Sequence, residues 1–441
     1  MMNISARIFV LLLGVTVLNG LVFAEEPRDV LLRYVTVDES ARGFAPRGSF
    51  YPNFTNQPPA GDWTLPEWTG KHPLFALVSL GDQERLMVLD IAGPKSLMYD
   101  CVFFDANANL DLTDDPVIQG KARRSRGSYV NVEFPAEDVT IEHGGRSHPY
   151  RFQPSLSAYK NESRETSPAF PGYNLRASLE VQCYYAGAFS LGGKKYSLML
   201  ADSNGNGIFG DALSRCSNCW SRGRIHLMGD TLFLTEGGEP GYYDGVSFGA
   251  WWRVGGRLMS AAMDPSRKKL TLTPVEGLLF PVTLSAEAER MMLIEDKEFK
   301  GITCFRPGRE IQLPAGTYRF VDYRLVRKET NGALWHLQAS VGTGATPVEV
   351  GADLKPEIVF GEPFRPVVEV PNWSCARRSG GSLRLNFEIY GAGGESVDEV
   401  SLLSGTSSLA LAKRSSRPKE PAYIILTPEG ELVDRGTFEY G

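Results

Sequence analysis

Glycine and proline punctuate this chain from end to end, and their spacing strongly limits what it can fold into. The 441 residues include 46 Gly and 28 Pro. The stretches between them are short runs in which apolar and polar residues alternate, which is typical of strands with one buried face. In residues 383–390, for example, Leu383, Leu385, Phe387 and Ile389 would share one face. We therefore predict a mainly β fold of tandem antiparallel β-domains.

Other alternating runs support this prediction, and helical periodicity is scarce. The clearest further strand candidates are residues 74–80, 85–91, 129–134, 196–201, 270–273 and 317–326. The best helix candidate is residues 285–299, with Ser285 as an N-cap, although residues 291–294 also suit a strand.

Changes in composition divide the chain into five predicted parts. Residues 1–24 have the charged start, apolar run and small-residue cleavage site of a secretory signal peptide, so we expect a secreted or periplasmic protein with no membrane span after cleavage. Polar and proline-rich stretches mark the later boundaries. The predicted units are a first β-unit (25–160), a second β-unit (161–280), a β-rich middle domain (281–361) and a C-terminal immunoglobulin-like β-sandwich (362–441). A proline-, glycine- and aromatic-rich stretch, 42–73, is expected to lie over the first unit as an irregular segment.

The charge balance excludes one class of partner. Lys and Arg number 46 against 52 Asp and Glu, which gives a net charge of −6. Because nucleic-acid binding depends on positive charge, we predict no nucleic-acid partner.

Two Asp- and Asn-rich loops carry the most specific chemical signal. Both follow an apolar run and fit the pattern Asp-x-Asn-x-Asn-x-x-x-x-Asp. Loop one is residues 105–114 and loop two is residues 202–211; each of the two β-units holds one. Such a repeat indicates two related units.

Alternate Asp and Asn side chains in a tight loop present hard oxygen ligands to one point, as Ca²⁺ requires. A backbone carbonyl at position 7 and a carboxylate at position 10 would complete the set. The predicted ligands are Asp105, Asn107, Asn109, Asp111 and Asp114 in loop one, and Asp202, Asn204, Asn206, Ile208 and Asp211 in loop two. Loop one is richer in carboxylates, and loop two has the glycine that a sharp turn prefers, so loop two is expected to bind more weakly.

Over about ten residues each, the loops resemble the calcium loops of EF-hands, dockerins and thrombospondin type repeats. The whole pattern resembles uncharacterised secreted multi-domain bacterial β-proteins with such loops. That resemblance implies Ca²⁺ binding and no particular reaction. The alternative is a pair of Asx turns whose side chains bond only their own backbone.

Three other motifs are weaker. Gly205, Gly207 and Gly210 match a dinucleotide fingerprint without a following helix, and Ser247 lies in a Gly-x-Ser-x-Gly pattern without the strand-turn-helix context of a nucleophile elbow. Cys216 and Cys219 form a Cys-x-x-Cys pair. We interpret that pair, with Cys183, as structural disulfide cysteines rather than as a redox centre.

No catalytic residue is predicted. We expect an exported, calcium-stabilised, non-enzymatic β-protein with a surface or periplasmic binding or assembly role and an unidentified protein or glycan ligand. The alternative is a carbohydrate-binding module or carbohydrate-active enzyme, whose sugar platform would be the aromatic residues of 242–252 with Trp63 and Trp68.

Overall fold

The computed structural model describes residues 28–37, 44–124, 129–160, 170–211, 213–215, 227–342, 346–370, 385–405, 411 and 416–439. The fold is nearly all β, with 57% strand and 1% helix. This confirms the predicted fold class. The signal peptide predicted at 1–24 lies outside the described residues.

The described residues form 33 strands and one short 3-10 turn, η1 (Tyr242–Asp244). The strands are β1 (Arg28–Thr36), β2 (Ser49–Phe50), β3 (Leu74–Leu80), β4 (Gln83–Asp90), β5 (Cys101–Phe104), β6 (Ile118–Gln119), β7 (Lys121–Arg124), β8 (Tyr129–Glu133), β9 (Glu137–His143), β10 (Arg146–Lys160), β11 (Tyr173–Val181), β12 (Cys183–Leu191), β13 (Lys194–Ala201), β14 (Ser214–Arg215), β15 (Leu227–Met228), β16 (Thr231–Glu236), β17 (Gly245–Ser247), β18 (Trp251–Val254), β19 (Arg257–Asp264), β20 (Lys269–Pro274), β21 (Leu279–Leu284), β22 (Arg290–Glu295), β23 (Lys300–Phe305), β24 (Glu310–Pro314), β25 (Gly316–Lys328), β26 (Leu334–Ser340), β27 (Val348–Val350), β28 (Glu357–Ile358), β29 (Arg365–Glu369), β30 (Asn386–Tyr390), β31 (Ser396–Ser404), β32 (Ala422–Leu426) and β33 (Leu432–Thr437).

One large sheet runs through most of the chain. Its strand order is β17-β16-β13-β12-β1-β20-β19-β18-β23-β22-β25-β26-β31-β30-β29, and β27 also pairs with β25. Neighbouring pairs are antiparallel except β18 with β23. A second sheet has the order β2-β11-β10-β8-β7 with β9 on β10, and a third has the order β3-β4-β5-β6. Three small sheets, β24-β21-β28, β14-β15 and β32-β33, complete the pairing.

One hydrophobic core lies between the second and third sheets and the part of the large sheet formed by β16, β13, β12, β1, β20 and β19. It includes Leu80, Phe104 and Phe152 from the first predicted unit and Tyr185 and Leu272 from the second. Strand β1 pairs with β12 and β20, and β10 pairs with β11 across the expected boundary at residue 160. The two units therefore share one core and one set of sheets.

A separate core fills the middle of the chain, around strands β21 to β28, with Leu293, Tyr323 and Phe360 among its buried members. The C-terminal strands β29, β30 and β31 extend the large sheet through β26, whereas β32 and β33 pair with each other. The predicted immunoglobulin-like sandwich is thus not confirmed. Leu383, assigned above to its clearest strand, lies outside the described residues.

The helix expected at 285–299 is wrong. Residues 290–295 form β22, and Met291, Met292, Leu293 and Ile294 are all buried because the strand is covered on both faces. Continuous burial of this kind removes the alternation by which a strand is recognised. The Ser285 hydroxyl, instead of capping a helix, bonds the backbone of Phe360.

Residues 51–73 form the irregular segment expected over the first unit. Trp63, Leu65 and Trp68 pack against Phe75 and other buried residues on one side of the β3-β4-β5 sheet. Within the described residues, no helix has the length and hydropathy needed to cross a membrane.

Candidate functional site: two Asx loops

The two loops share two left-handed backbone positions. Loop one begins directly after β5 and loop two directly after β13. In both, positions 4 and 6 are left-handed: Ala108 and Leu110 have φ of 57° and 68°, and Gly205 and Gly207 have φ of 69° and 79°. Because non-glycine residues rarely adopt this region, loop one holds local strain that loop two avoids with glycine.

The first aspartate of each loop is the centre of a hydrogen-bonded turn. Asp105 accepts hydrogen bonds from the backbone N–H groups of Asn109 and Leu110, at 3.1 and 3.2 Å. Asp202 accepts them from the N–H groups at positions 4, 5 and 6 of loop two, at 2.7, 3.2 and 2.7 Å. These bonds bind each loop around its first carboxylate.

The side chains at positions 3 and 5 converge on the aspartate at position 10 in both loops. The four amide contacts to that carboxylate are Asn107 to Asp114 at 3.3 Å, Asn109 to Asp114 at 2.8 Å, Asn204 to Asp211 at 2.9 Å and Asn206 to Asp211 at 2.8 Å. The predicted ligands at positions 1, 3, 5 and 10 are therefore brought together in each loop. The position 7 residue Asp111 instead bonds Thr113.

Loop one lies at the surface and has an internal cation behind it. Arg85 is buried and donates to the backbone carbonyls of Asp105, Ala106 and Thr140. Asp115 accepts a hydrogen bond from the N–H of Ala106. Burial, followed by the charge of Asp105, raises the pKa of Asp115. The guanidinium thus supplies positive charge close to this carboxylate-rich loop.

Loop two is packed into the shared core. The Tyr150 hydroxyl donates to Asp202 at 2.7 Å, and His148 Nε2 bonds the Gly207 carbonyl at 2.8 Å. Asp230, from the turn before β16, accepts hydrogen bonds from the N–H groups of Ser203 and Gly210. Asp230 therefore holds together the beginning and the end of the loop.

Loop two concentrates negative charge in a buried place. Asp202 and Asp230 are 0% and 1% exposed. Burial raises the pKa of Asp202 to about 6, and burial with the charges of Asp202 and Asp211 raises the pKa of Asp230 well above its usual range. The Asp211 Oδ1 atom is buried and has no hydrogen-bond partner. A proton or a bound cation would relieve this repulsion.

In the described part of the chain, no three His, Cys, Asp or Glu side chains are grouped as a ready metal centre. An ion at either loop would therefore also need Asn and backbone oxygens. Ca²⁺ accepts such mixed oxygen ligands.

The glycine fingerprint and the Gly-x-Ser-x-Gly pattern lie in a turn and a strand of the β-structure. The three glycines of the fingerprint all have positive φ inside loop two. Ser247 ends the short strand β17, and its carbonyl accepts a hydrogen bond from Thr303. The strand-turn-helix context of a nucleophile elbow is not present there.

The predicted involvement of Cys183 in a disulfide is wrong. Its thiol is free and buried between β10 and β12, with Sγ 3.3 Å from the Arg151 N–H. Burial raises its pKa to about 12, which makes it unreactive. Cys216 and Cys219 lie outside the described residues.

The aromatic residues suggested as a sugar platform are divided between core and surface. Trp252 and Phe248 are buried and pack edge to face, and Trp68 packs against Phe75 and Phe103. Tyr242 is exposed. These side chains do not form one platform.

Sequence reasoning missed three residues that shape the loops: Arg85, Tyr150 and Asp230. Arg85 and Asp230 reach their loops through the strand pairs β4-β5 and β13-β16, and Tyr150 reaches loop two from a strand of a different sheet. The available signal in the sequence was a charged residue, Arg85, at the start of the apolar run of β4.

Comparison with known proteins assigns no relative. No protein-family model matches the chain, and neither a curated protein nor a solved structure shows significant similarity to it.

Proposed function

We propose that this chain is an exported, non-enzymatic β-protein that is stabilised by Ca²⁺ and has a surface or periplasmic binding or assembly role. One observation carries the calcium proposal. Two buried carboxylates, Asp202 and Asp230, lie at loop two with Asp211, whose Oδ1 atom is buried and unpaired. None of the three makes an ion pair within 4 Å in the described residues.

A cation is the simplest partner for this arrangement. Buried carboxylates that repel each other must be protonated or neutralised. The chain offers them neutral donors, namely backbone N–H groups, amides and the Tyr150 hydroxyl. A divalent ion would replace the amide contacts to Asp211 and satisfy its free oxygen.

The proposed ligand set at loop two is made of oxygen atoms. Asp202, Asn204, Asn206 and Asp211 supply side-chain oxygens, and the Ile208 carbonyl is the predicted backbone ligand. Asp230 is not counted as a ligand, because its two oxygens accept the N–H groups of Ser203 and Gly210, but its buried charge lies close to Asp202 and Asp211. The sequence predicts the weaker site at loop two, which has fewer carboxylates, but the buried charge of Asp230 beside loop two and the guanidinium of Arg85 beside loop one favour the opposite order. We therefore propose the tighter site at loop two.

The binding role is supported by a groove on the outer face of the large sheet. A space of about 1060 Å³ lies over β1, β12 and β13. Its lining includes the small residues Ala186, Gly187 and Ala188 of β12 and the aromatic residues Phe44 and Tyr184. An open lining of small and aromatic residues suits an extended protein or glycan chain.

The test is thermal unfolding of the protein in EGTA and then across a Ca²⁺ titration. We expect the midpoint to rise with Ca²⁺, since a ligand present at 100 times its Kd stabilises the folded state by about 2.7 kcal/mol. Asp230→Asn removes a buried charge and keeps an acceptor oxygen. Because the variant also loses one of the two acceptor oxygens, its calcium-free midpoint serves as its own baseline, and the rise with Ca²⁺ above that baseline should be smaller than in the unsubstituted protein.

Glu133→Gln is the matched control, because it removes an exposed carboxylate away from both loops. It should respond to Ca²⁺ as the unsubstituted protein does. A midpoint that does not move up to millimolar Ca²⁺, or an equal rise in Asp230→Asn, would contradict the proposal. Asp105→Asn reports separately on loop one.

A further inference from the structure

A small charged cavity lies away from both Asx loops, where the second predicted unit meets the middle domain. Its volume is about 150 Å³. The turns between β12 and β13 and between β18 and β19 form part of its wall, with the end of β16 and strands β22 and β23. Its charged lining residues are Lys194, Glu236, Asp244, Glu289, Arg290 and Arg306.

The two exposed cations of this lining are already paired. Lys194 Nζ lies 2.9 Å from Glu236 Oε2, and Arg306 lies 3.0 Å from the same oxygen. Glu236 is therefore neutralised from two sides and contributes little attraction for a cation in the cavity.

Arg290 is different, because it is buried and has no ion pair. It is 7% exposed, and it donates one hydrogen bond to the Tyr243 carbonyl. No carboxylate lies within 4 Å of it in the described residues. Burial and the neighbouring Arg324 lower its pKa to about 10. Asp244, Glu289 and Asp322 offset part of its charge, but they lie beyond ion-pair distance, and a guanidinium has five N–H donors, so Arg290 keeps donor capacity for an anion in the cavity that it lines.

Arg324, the neighbour of Arg290 across the β22-β25 pair, is an arginine that does have ion pairs. It shares the Tyr243 carbonyl with Arg290, but it also lies 3.1 Å from Glu289 and 3.7 Å from Asp244. Glu289 and Arg324 lie at ion-pair distance, but their geometry does not make a hydrogen bond. Glu289 Oε2 can therefore still accept one. The cavity is therefore lined by Arg290, which has no ion pair in the described residues, and by Glu289 and Asp244, which share the charge of Arg324; Glu289 Oε2 keeps a free acceptor site.

We propose that this cavity binds a small zwitterion of the α-amino-acid type. The ligand carboxylate pairs with the free N–H groups of Arg290, and its ammonium group faces Glu289 and Asp244. Leu234 and Phe305 supply apolar wall for the carbon atoms between them. This proposal is independent of calcium binding.

The charge balance selects this class over simpler ions. A dianion such as phosphate is repelled by the carboxylates that line the cavity, and a simple cation meets the unpaired Arg290. A zwitterion satisfies both signs at once. The volume limits the ligand to a few heavy atoms, so glycine and alanine are the natural probes.

The test is isothermal titration calorimetry of the full protein with glycine and L-alanine, and with acetate, methylamine and inorganic phosphate as partial analogues. We expect the amino acids to bind more tightly than each analogue. Arg290→Gln should weaken binding about tenfold or more, since it removes a charged hydrogen-bond partner. Arg290→Lys keeps the charge and moves the donors, and it should also weaken binding.

Arg123→Gln, at an exposed arginine outside the cavity, is the matched control and should bind as the unsubstituted protein does. Glu289→Gln tests the contact to the ammonium group alone. It should weaken the binding of the amino acids and leave the binding of acetate unchanged. The proposal is overturned if glycine and alanine do not bind, if acetate binds as tightly, or if both Arg290 variants bind normally. Because Arg290→Lys and Glu289→Gln preserve most contacts, the test does not depend on the folding of Arg290→Gln.

Discussion

His336 should make this protein sensitive to acid. Its side chain is 0% exposed in strand β26, and neither ring nitrogen has a hydrogen-bond partner. The ring packs edge to face on Tyr243, with a centroid distance of 5.0 Å. Burial, followed by the charges of Arg324 and Arg290, lowers the pKa of His336 to about 3. The folded protein therefore holds this imidazole neutral.

The direction of the pH effect follows from the two pKa values. In the unfolded chain the imidazole has a pKa of about 6.5, so the unfolded chain takes up the proton first as pH falls. The contribution of neutral His336 to the free energy of unfolding is fully present above about pH 6.5. It is lost progressively as the pH falls toward 3. At about 1.4 kcal/mol per pH unit, the loss is about 3 kcal/mol at pH 4.

His336→Leu isolates this effect. The substitution removes a group without hydrogen bonds and keeps an apolar body of similar size, so stability near pH 7.5 should change by less than about 1.5 kcal/mol. Between pH 7.5 and pH 4 the variant should gain about 3 kcal/mol relative to the unsubstituted protein. Urea unfolding followed by tryptophan fluorescence at several pH values measures the difference.

Gln338→Leu is the control, because it replaces an exposed, non-titrating polar residue on the same strand. Its stability difference should be the same at every pH. If the curves for His336→Leu and the unsubstituted protein also run parallel from pH 7.5 to pH 4, the reasoning about the buried neutral imidazole is refuted.

Two further predictions concern the first β-unit, and both are measured by urea unfolding. Leu110→Gly should stabilise the protein by about 1 kcal/mol, because glycine tolerates the left-handed backbone at this position, whereas Val117→Gly, an exposed residue outside that region, should destabilise it. Asp90→Ala should cost roughly 2–4 kcal/mol, since this buried carboxylate accepts hydrogen bonds from the N–H groups of Thr69 and Gly70 at 2.8 and 2.9 Å. An unchanged midpoint in Asp90→Ala would show that the segment over the β3-β4-β5 sheet is held by apolar packing alone.

The strands were predictable wherever one face is buried and the other is exposed. Residues 74–80 coincide with β3, and residues 129–134 and 196–201 overlap β8 and β13. The pattern failed at β22, where four consecutive apolar residues are buried on both sides of the strand. The pairing order was not predictable, because β1 joins β12 and β20 from distant parts of the chain and no local signal specifies that contact.

The candidate sites also differ in how far the sequence predicts them. Each Asx loop is a local pattern, so its ligands at positions 1, 3, 5 and 10 could be named from the sequence. The cavity at Arg290 has no such pattern, since its lining comes from six separate segments of the chain. What distinguishes Arg290 is that its acidic neighbours lie beyond ion-pair distance among the described residues, and a sequence does not report distances between strands.

The two loops show how the surroundings decide what a shared pattern does. Both wrap the backbone around a first aspartate and both direct two Asn side chains at a second. Behind loop one lies the guanidinium of Arg85, which bonds the carbonyl of Asp105. Beside loop two lies Asp230, which adds negative charge to the same small volume. A cation entering loop one meets a cation that is already there, whereas one entering loop two meets uncompensated carboxylates. The same ten positions therefore lie in two different electrostatic surroundings, and the difference comes from residues outside the pattern.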